Sequence, residues 1–189
     1  MFEHLMLDLE TMGTKPTAAI VAIGAVLFNP ETGELGSRFY DVIDLSSVMR
    51  HKDTTVDAET IKWWLKQSSE ARSEIITGDV HILNALSGLS KFINEESNPR
   101  LLKVWGNGSS FDNVILRSAY ERYDLTAPWM FYNDRDVRTI VDIGRSFDFD
   151  PKVNMPFDGV QHNALADAIH QAKYVSAIWQ RININKESI

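Results

Sequence analysis

At 189 residues, with 44% hydrophobic and 10% aromatic content, the sequence has the size of one domain and carries enough apolar material for one substantial core. It contains no cysteine, which excludes disulfides, thiolate zinc sites and cysteine nucleophiles and fits a reducing cytoplasm. A formal charge of −7 argues against a broad cationic face that grips nucleic acid, but a site where several carboxylates hold two divalent cations becomes positive once loaded, and a phosphate can dock on the metals.

The sequence opens on LMLDLE, a short apolar strand, followed by AAIVAIGAVLF, β-branched and nearly continuous, and by SRFYDVIDL, which alternates; NPETGE is the turn between the last two. An antiparallel meander is expected, with the first two strands central and covered on both faces. From Asp57, a candidate N-cap, the period becomes helical: Ile61, Trp64 and Leu65 lie on one stripe, and Ser68 or Ser69 starts a second short helix. Ile82, Leu86, Leu89 and Ile93 mark a third helix, which Asn98-Pro99 ends. LLKVW then reads as a strand, GNG as a turn and SSFDNVILRSAYERY as a helix. A strand near Trp129 to Tyr132, a helix from Asp136 to Phe147, a loop from Asp148 to Val160 and a long helix through His170 to Ile182 complete the pattern. This alternation predicts one α/β domain over residues 1–183, a mixed sheet with helices on both faces, and a frayed tail over 184–189. No apolar run approaches the roughly 18 residues of a membrane span, so the expectation is a soluble, unprocessed protein without a membrane partner.

Asp8 and Glu10 lie two apart on the first strand, so the strand period puts both carboxylates on one face. Side by side in an apolar strand they are costly as anions unless a cation neutralises them, and ligands that are all oxygen suit Mg²⁺ or Mn²⁺ rather than zinc. A bare D-x-E is common, and one of its acids is more often a strand-end residue facing solvent. Here, however, Thr11-Met12-Gly13-Thr14 makes a polar exit at the carboxyl end of the strand, where ligands bind in open α/β sheets. Asp112 sits in the first turn of a helix, where an acid complements the helix dipole without any catalytic role. Gly106-Asn107-Gly108 lacks the third small residue of a dinucleotide fingerprint, where this sequence has Phe111. His162 and Asp167 are five apart, about 140° around a helix, and so share a face only if His162 precedes the helix; Asp167, His170 and Gln171 could equally be a helical surface cluster.

The set carries more than its members. A strand D-x-E, a mid-sequence F-D on a helix after a strand, and an H-x4-D opening a late helix occur in this order, and the sequence resembles the DEDDh branch of the DnaQ-like 3′–5′ exonucleases from Leu5 to Ala172. The motifs are Asp8-Leu9-Glu10-Thr11, Asn107 with Phe111-Asp112, and His162 through Asp167. Asp8 to Gly13, the Thr60, Trp63 and Trp64 helix and Arg135 to Thr139 look like the phage exonuclease A and ribonuclease T-like small bacterial exoribonucleases. Where those relatives carry His-Asn before the second motif, this sequence reads Gly106-Asn107.

The resemblance implies an RNase H-like mixed sheet of five or six strands and hydrolysis of single-stranded RNA or DNA from the 3′ end to nucleoside 5′-monophosphates. It implies two Mg²⁺ or Mn²⁺ ions bridged by Asp8 and completed by Glu10, Asp112 and Asp167, with His162 as general base, a task suited to an imidazole near neutral pH. Thr11, Met12, Asn107, Trp63, Phe111 and Arg135 are the candidate substrate contacts; Trp64 and Phe111 are large enough apolar residues to be core instead. A homodimer is expected from the ribonuclease T-like relatives. The competing readings are a catalytically idle nucleic-acid-binding or interaction module on the same fold, and an enzyme of the same site acting on short oligonucleotides.

Overall fold

The computed structural model describes residues 2–187. Strands β1 (His4–Thr11), β2 (Ile20–Phe28) and β3 (Leu35–Val42) form the expected antiparallel meander. On the other side of β1, β4 (Lys103–Gly106) and β5 (Asp134–Asp136) add in parallel, giving the order β3-β2-β1-β4-β5, a five-stranded sheet with β1 in the middle. Both faces of this sheet are covered, which is why β1 and β2 are almost uninterrupted in apolar residues. Leu5, Leu7 and Leu9 enter a core shared with α4 (Ile82–Glu96) and α5 (Asp112–Arg122). Met6 points the other way, into a second core with α6 (Val137–Arg145) and α8 (Ala164–Glu187). The alternation then places Asp8 and Glu10 on the Met6 face, beneath the start of α8.

The short helices differ from expectation in ways that local chemistry explains. Helices α2 (Ala58–Leu65) and α3 (Ser69–Ile76) are present, and Ser68 caps α3 by accepting from the Ala71 N–H. Asp57 occupies the N-cap position of α2 but makes no cap bond; its carboxylate instead accepts from the Thr14 N–H at 2.8 Å and hydroxyl at 3.2 Å, tying the exit of β1 to α2. Two further helices are present beyond those expected, α1 (Leu45–Met49) and α7 (Pro151–Asn154), the latter inside the stretch read as a loop.

The strand expected at Trp129 to Tyr132 is displaced: Phe131–Asn133 is a 3-10 turn and the strand is Asp134–Asp136. The aromatic residue that opens this stretch is held by charged neighbours rather than by a strand ladder. Trp129 is buried because its indole N–H donates to Asp134 Oδ1 at 2.8 Å and the Arg117 guanidinium lies 4.5 Å over its ring. The segment from residue 184 is helical through Glu187, and residues 188 and 189 of the expected tail lie outside the described residues. No helix among the described residues is long and apolar enough to cross a membrane.

Candidate active site

Two glycines let the helices come close enough to bring their side chains to β1. Gly24 pairs with Asp8 across the β1–β2 ladder, and a Cβ there would lie 2.2 Å from the carbonyl carbon of Ala164, so the start of α8 rests directly on the sheet beside Asp8. A Cβ on Gly106 would lie 2.3 Å from Asn113 Oδ1 and 3.1 Å from Asp112 Cβ, so the first turn of α5 closes against the end of β4. A larger residue at 106, such as the histidine of the resembled pattern, would press first on the Asn113 amide and then on Asp112.

The carboxylates meet between these helices. Asp112 is buried, and its Oδ1 accepts from the Leu9 N–H at 3.2 Å, between Asp8 and Glu10 in sequence. Asp167, in the first turn of α8, accepts from the His162 N–H at 2.9 Å. His162 lies before the helix with φ of 65°, a left-handed conformation uncommon for any residue but glycine, so the five-residue spacing no longer separates it from Asp167. Ligand atoms of Glu10, His162 and Asp167 all lie within 4.8 Å of one another.

The electrostatics are those of an acid cluster in which burial outweighs the opposing charges nearby. Loss of hydration is the largest cause that lifts the Asp8 carboxyl well above the usual range, and Asp112, Glu10 and Asp167 add repulsion. Burial, with Asp167, Asp112 and Glu74 nearby, pushes Glu10 up to about 8. Asp112 rises to about 7 through burial, opposed by N–H bonds from Leu9 and Asn107 and by the Arg138 charge. Asp167 is raised for the same reason, desolvation, against the His162 N–H bond. Holding several such groups ionised requires cations, and hard divalent ions suit the oxygen donors. Two buried polar atoms beside the cluster fit a hydrated ion: Gln171 Oε1 and the Tyr174 hydroxyl have no hydrogen-bond partner among the described residues.

The family model of the 3′–5′ exoribonuclease Rv2179c-like domain matches residues 3–179. The protein belongs to this exonuclease family. It is 32% identical to an exodeoxyribonuclease of Enterobacteria phage T4, over 75% of its own length and 71% of the phage protein. Its fold is shared with the nuclease domain of 3′hExo, a DEDDh family member solved with rAMP, at a TM-score of 0.63 and 14% identity over 95% of this protein and 93% of the other. It is shared also with the zinc-bound E. coli ExoI–ssDNA complex, at 0.64 and 15% over 96% of this protein and 42% of that one. The sheet is thus RNase H-like, and the protein is a 3′–5′ exonuclease, a phosphodiester hydrolase.

In this exonuclease the expected substrate residues divide among three surfaces. Thr11, Trp63 and Phe111 line a cavity of about 410 Å³ next to Glu10, together with Thr14 and Trp64. Asn107 lies in another cavity of about 350 Å³, with His162, Asp167, Gln171 and Tyr174. Met12 packs on the core beside Trp64 and Val21 and does not line either cavity. Arg135 is elsewhere, in the groove between β5, α6 and α8, where its guanidinium donates to the Tyr132 and Asp134 carbonyls. Arg138, by contrast, lies against the Gly108 turn near Asp112.

Several groups at the site are not marked by the sequence motifs. Gln171 Nε2 donates to Asp8 Oδ1 at 2.7 Å; its i+4 spacing from Asp167 is the signal that points to it. Tyr40 and Glu74, which meet Asn163 behind His162, carry no local signal. Trp64 is a core residue, 4% exposed, and its indole N–H donates to the Thr11 carbonyl at 2.9 Å, whereas its neighbour Trp63 is 42% exposed with its ring centroid 4.8 Å from that of His162.

Proposed function

We propose that this domain removes nucleoside 5′-monophosphates one at a time from the 3′ ends of single-stranded RNA or DNA, using two Mg²⁺ or Mn²⁺ ions held by Asp8, Glu10, Asp112 and Asp167. The observation that carries the reading is the convergence of these four acids and His162, from β1, α5 and the start of α8, between two open cavities. When bound, the metal supplies Lewis acidity and charge neutralisation toward the phosphodiester.

The protein's own groups do the rest. Asp8 is oriented by the Gln171 amide, and Asp112 by the Leu9 N–H, so their oxygens are fixed before substrate arrives. His162 takes the proton of the attacking water as the bond between phosphorus and the leaving 3′-oxygen breaks. The products are a nucleoside 5′-monophosphate and a strand one residue shorter with a free 3′-hydroxyl. The cavity beside Glu10 receives the terminal nucleotide, with the exposed Trp63 ring available for stacking. The same reading includes a cytoplasmic setting, supported by the absence of cysteine, and a homodimer, to be checked by light scattering.

The test is parallel digestion of matched single-stranded DNA and RNA carrying 5′ or 3′ labels, with Mg²⁺, Mn²⁺ or EDTA. Stepwise shortening of 5′-labelled strands and immediate release of the 3′ label as a mononucleotide are expected, both abolished by EDTA. Absence of hydrolysis with either ion would favour the binding module, and turnover confined to very short strands would favour an oligonucleotide-specific enzyme.

A further inference from the structure

His162 is held in a left-handed backbone conformation, which a residue other than glycine keeps only when its surroundings impose it. One restraint is the bond from its N–H to Asp167 Oδ2 at 2.9 Å. The other lies behind it, on the next residue. Asn163 Oδ1 caps α8 by accepting from the Ala166 N–H at 2.8 Å. Its Nδ2 donates to the Tyr40 hydroxyl oxygen at 3.1 Å and to Glu74 Oε1, and the Tyr40 hydroxyl donates to that same oxygen at 2.5 Å. The amide of Asn163 is therefore engaged at both ends, and three elements, β3, α3 and α8, meet at one carboxylate oxygen.

The choice of an acid at this junction is unfavourable by itself. Glu74 is close enough to Glu10 to add to the repulsion within the acid cluster. What a carboxylate supplies in exchange is a stronger acceptor for two converging donors. We propose that Tyr40, Glu74 and Asn163 form a clamp that positions His162 over the carboxylate cluster. The proposal rests on the reading of His162 as the proton acceptor, and it makes Glu74 and Tyr40 positioning residues.

The experiment uses the whole protein and a 3′-labelled single-stranded oligonucleotide with Mg²⁺, comparing wild type, Glu74→Ala, Glu74→Gln, His162→Ala and the double variant Glu74→Ala with His162→Ala. Glu74→Ala should lower kcat about tenfold to a hundredfold while KM and Mn²⁺ affinity change by less than about threefold, as for groups that orient a catalytic residue. Glu74→Gln keeps the accepting Oε1 and should recover kcat to within about threefold of wild type. The double variant should be no slower than His162→Ala alone, because a clamp has nothing to position once the imidazole is gone. A wild-type kcat in Glu74→Ala, or losses that multiply in the double variant, would overturn the clamp. An inert wild type would overturn the exonuclease reading itself and the clamp with it. Should Glu74→Ala lose its thermal unfolding transition, Tyr40→Phe, which removes one hydroxyl, is compared against His162→Ala in the same way, with the same outcomes deciding.

Discussion

The Gln171 amide donates to Asp8 Oδ1 at 2.7 Å, joining the first third of α8 to the carboxylate at the centre of the sheet. Gln171 is buried where it makes this donation. Gln171→Leu, which keeps the bulk and removes the donor, is expected to cost about tenfold to a hundredfold in Mn²⁺ affinity or kcat. Calorimetry with Mn²⁺ and initial rates measure the two; unchanged values in both would remove Gln171 from the site.

His162→Ala is expected to lower kcat by about a hundredfold to ten-thousandfold, the usual contribution of a general base, with metal affinity retained. Retained affinity with near wild-type turnover would take the base assignment from His162. Asp8→Asn should abolish Mg²⁺-dependent hydrolysis and at the same time make the metal-free protein more stable near pH 8, since it removes a carboxyl whose ionisation the fold disfavours. Thermal unfolding in EDTA reads the second effect.

The acid cluster also sets a pH dependence of stability. Carboxyls whose folded pKa is raised bind protons more tightly in the native state, so their contribution is complete below the ordinary range near 4 and is lost as pH rises toward the folded values, about 7 for Asp112 and about 8 for Glu10. In EDTA the unfolding temperature should therefore fall between about pH 5 and 8. Mg²⁺ favours the ionised form, so the temperature gained on adding it should be larger at pH 8 than at pH 5.5. Equal gains at the two pH values would contradict a cluster neutralised by metal.

Gly24→Ala tests the approach of α8 to the sheet. The added methyl would meet backbone at 2.2 Å, which cannot move aside as the tip of a flexible residue can. A loss of about 3 kcal/mol is expected, at the upper end for overpacking, measured as a lower denaturant midpoint, together with weaker Mn²⁺ binding because Asp167 shifts with the helix.

The two adjacent tryptophans should separate cleanly. Trp63→Ala, at the exposed ring, is expected to raise KM for single strands roughly tenfold with little change in unfolding temperature. Trp64→Ala, at the buried ring, should cost about 3 kcal/mol or more in stability. The reverse pattern would move the stacking surface from one ring to the other.

The parts of this fold that are legible in the sequence are those where local pattern and burial coincide. Continuous apolar runs mark β1 and β2 as central strands, and the period of Ile82, Leu86, Leu89 and Ile93 marks α4. β5 is hidden because Asp-Arg-Asp carries no apolar signal: three residues of edge strand are held by the Arg117, Asn113 and Trp129 contacts to Asp134. Asp8 and Glu10 can be placed because the strand period says that they share a face, whereas His162 reaches Asp167 through a backbone turn that the helix period does not show. Glu74 and Tyr40 cannot, since each looks like an ordinary surface residue until β3 and α3 are brought to Asn163. Arg135 stands beside a motif residue in sequence and yet lies on a different surface, one strand end away from where its neighbour Arg138 sits.

α8 touches β1 at two places on the same face: Gln171 on Asp8, and Trp179 on His4, with ring centroids 5.7 Å apart. The two elements run in opposite directions, and their step lengths differ. Four strand residues from Asp8 back to His4 cover about 13 Å, and eight helical residues from Gln171 to Trp179 cover about 12 Å. The lengths are commensurate, so helix and strand act as two scales read against each other. Inserting one residue between Gln171 and Trp179 would advance the far contact by about 1.5 Å and turn it by about 100°, and both contacts could not then be kept. The number of residues in this stretch of α8 is thus set by the strand beneath it, and the aromatic end of the sheet gauges where the acidic end receives its helix.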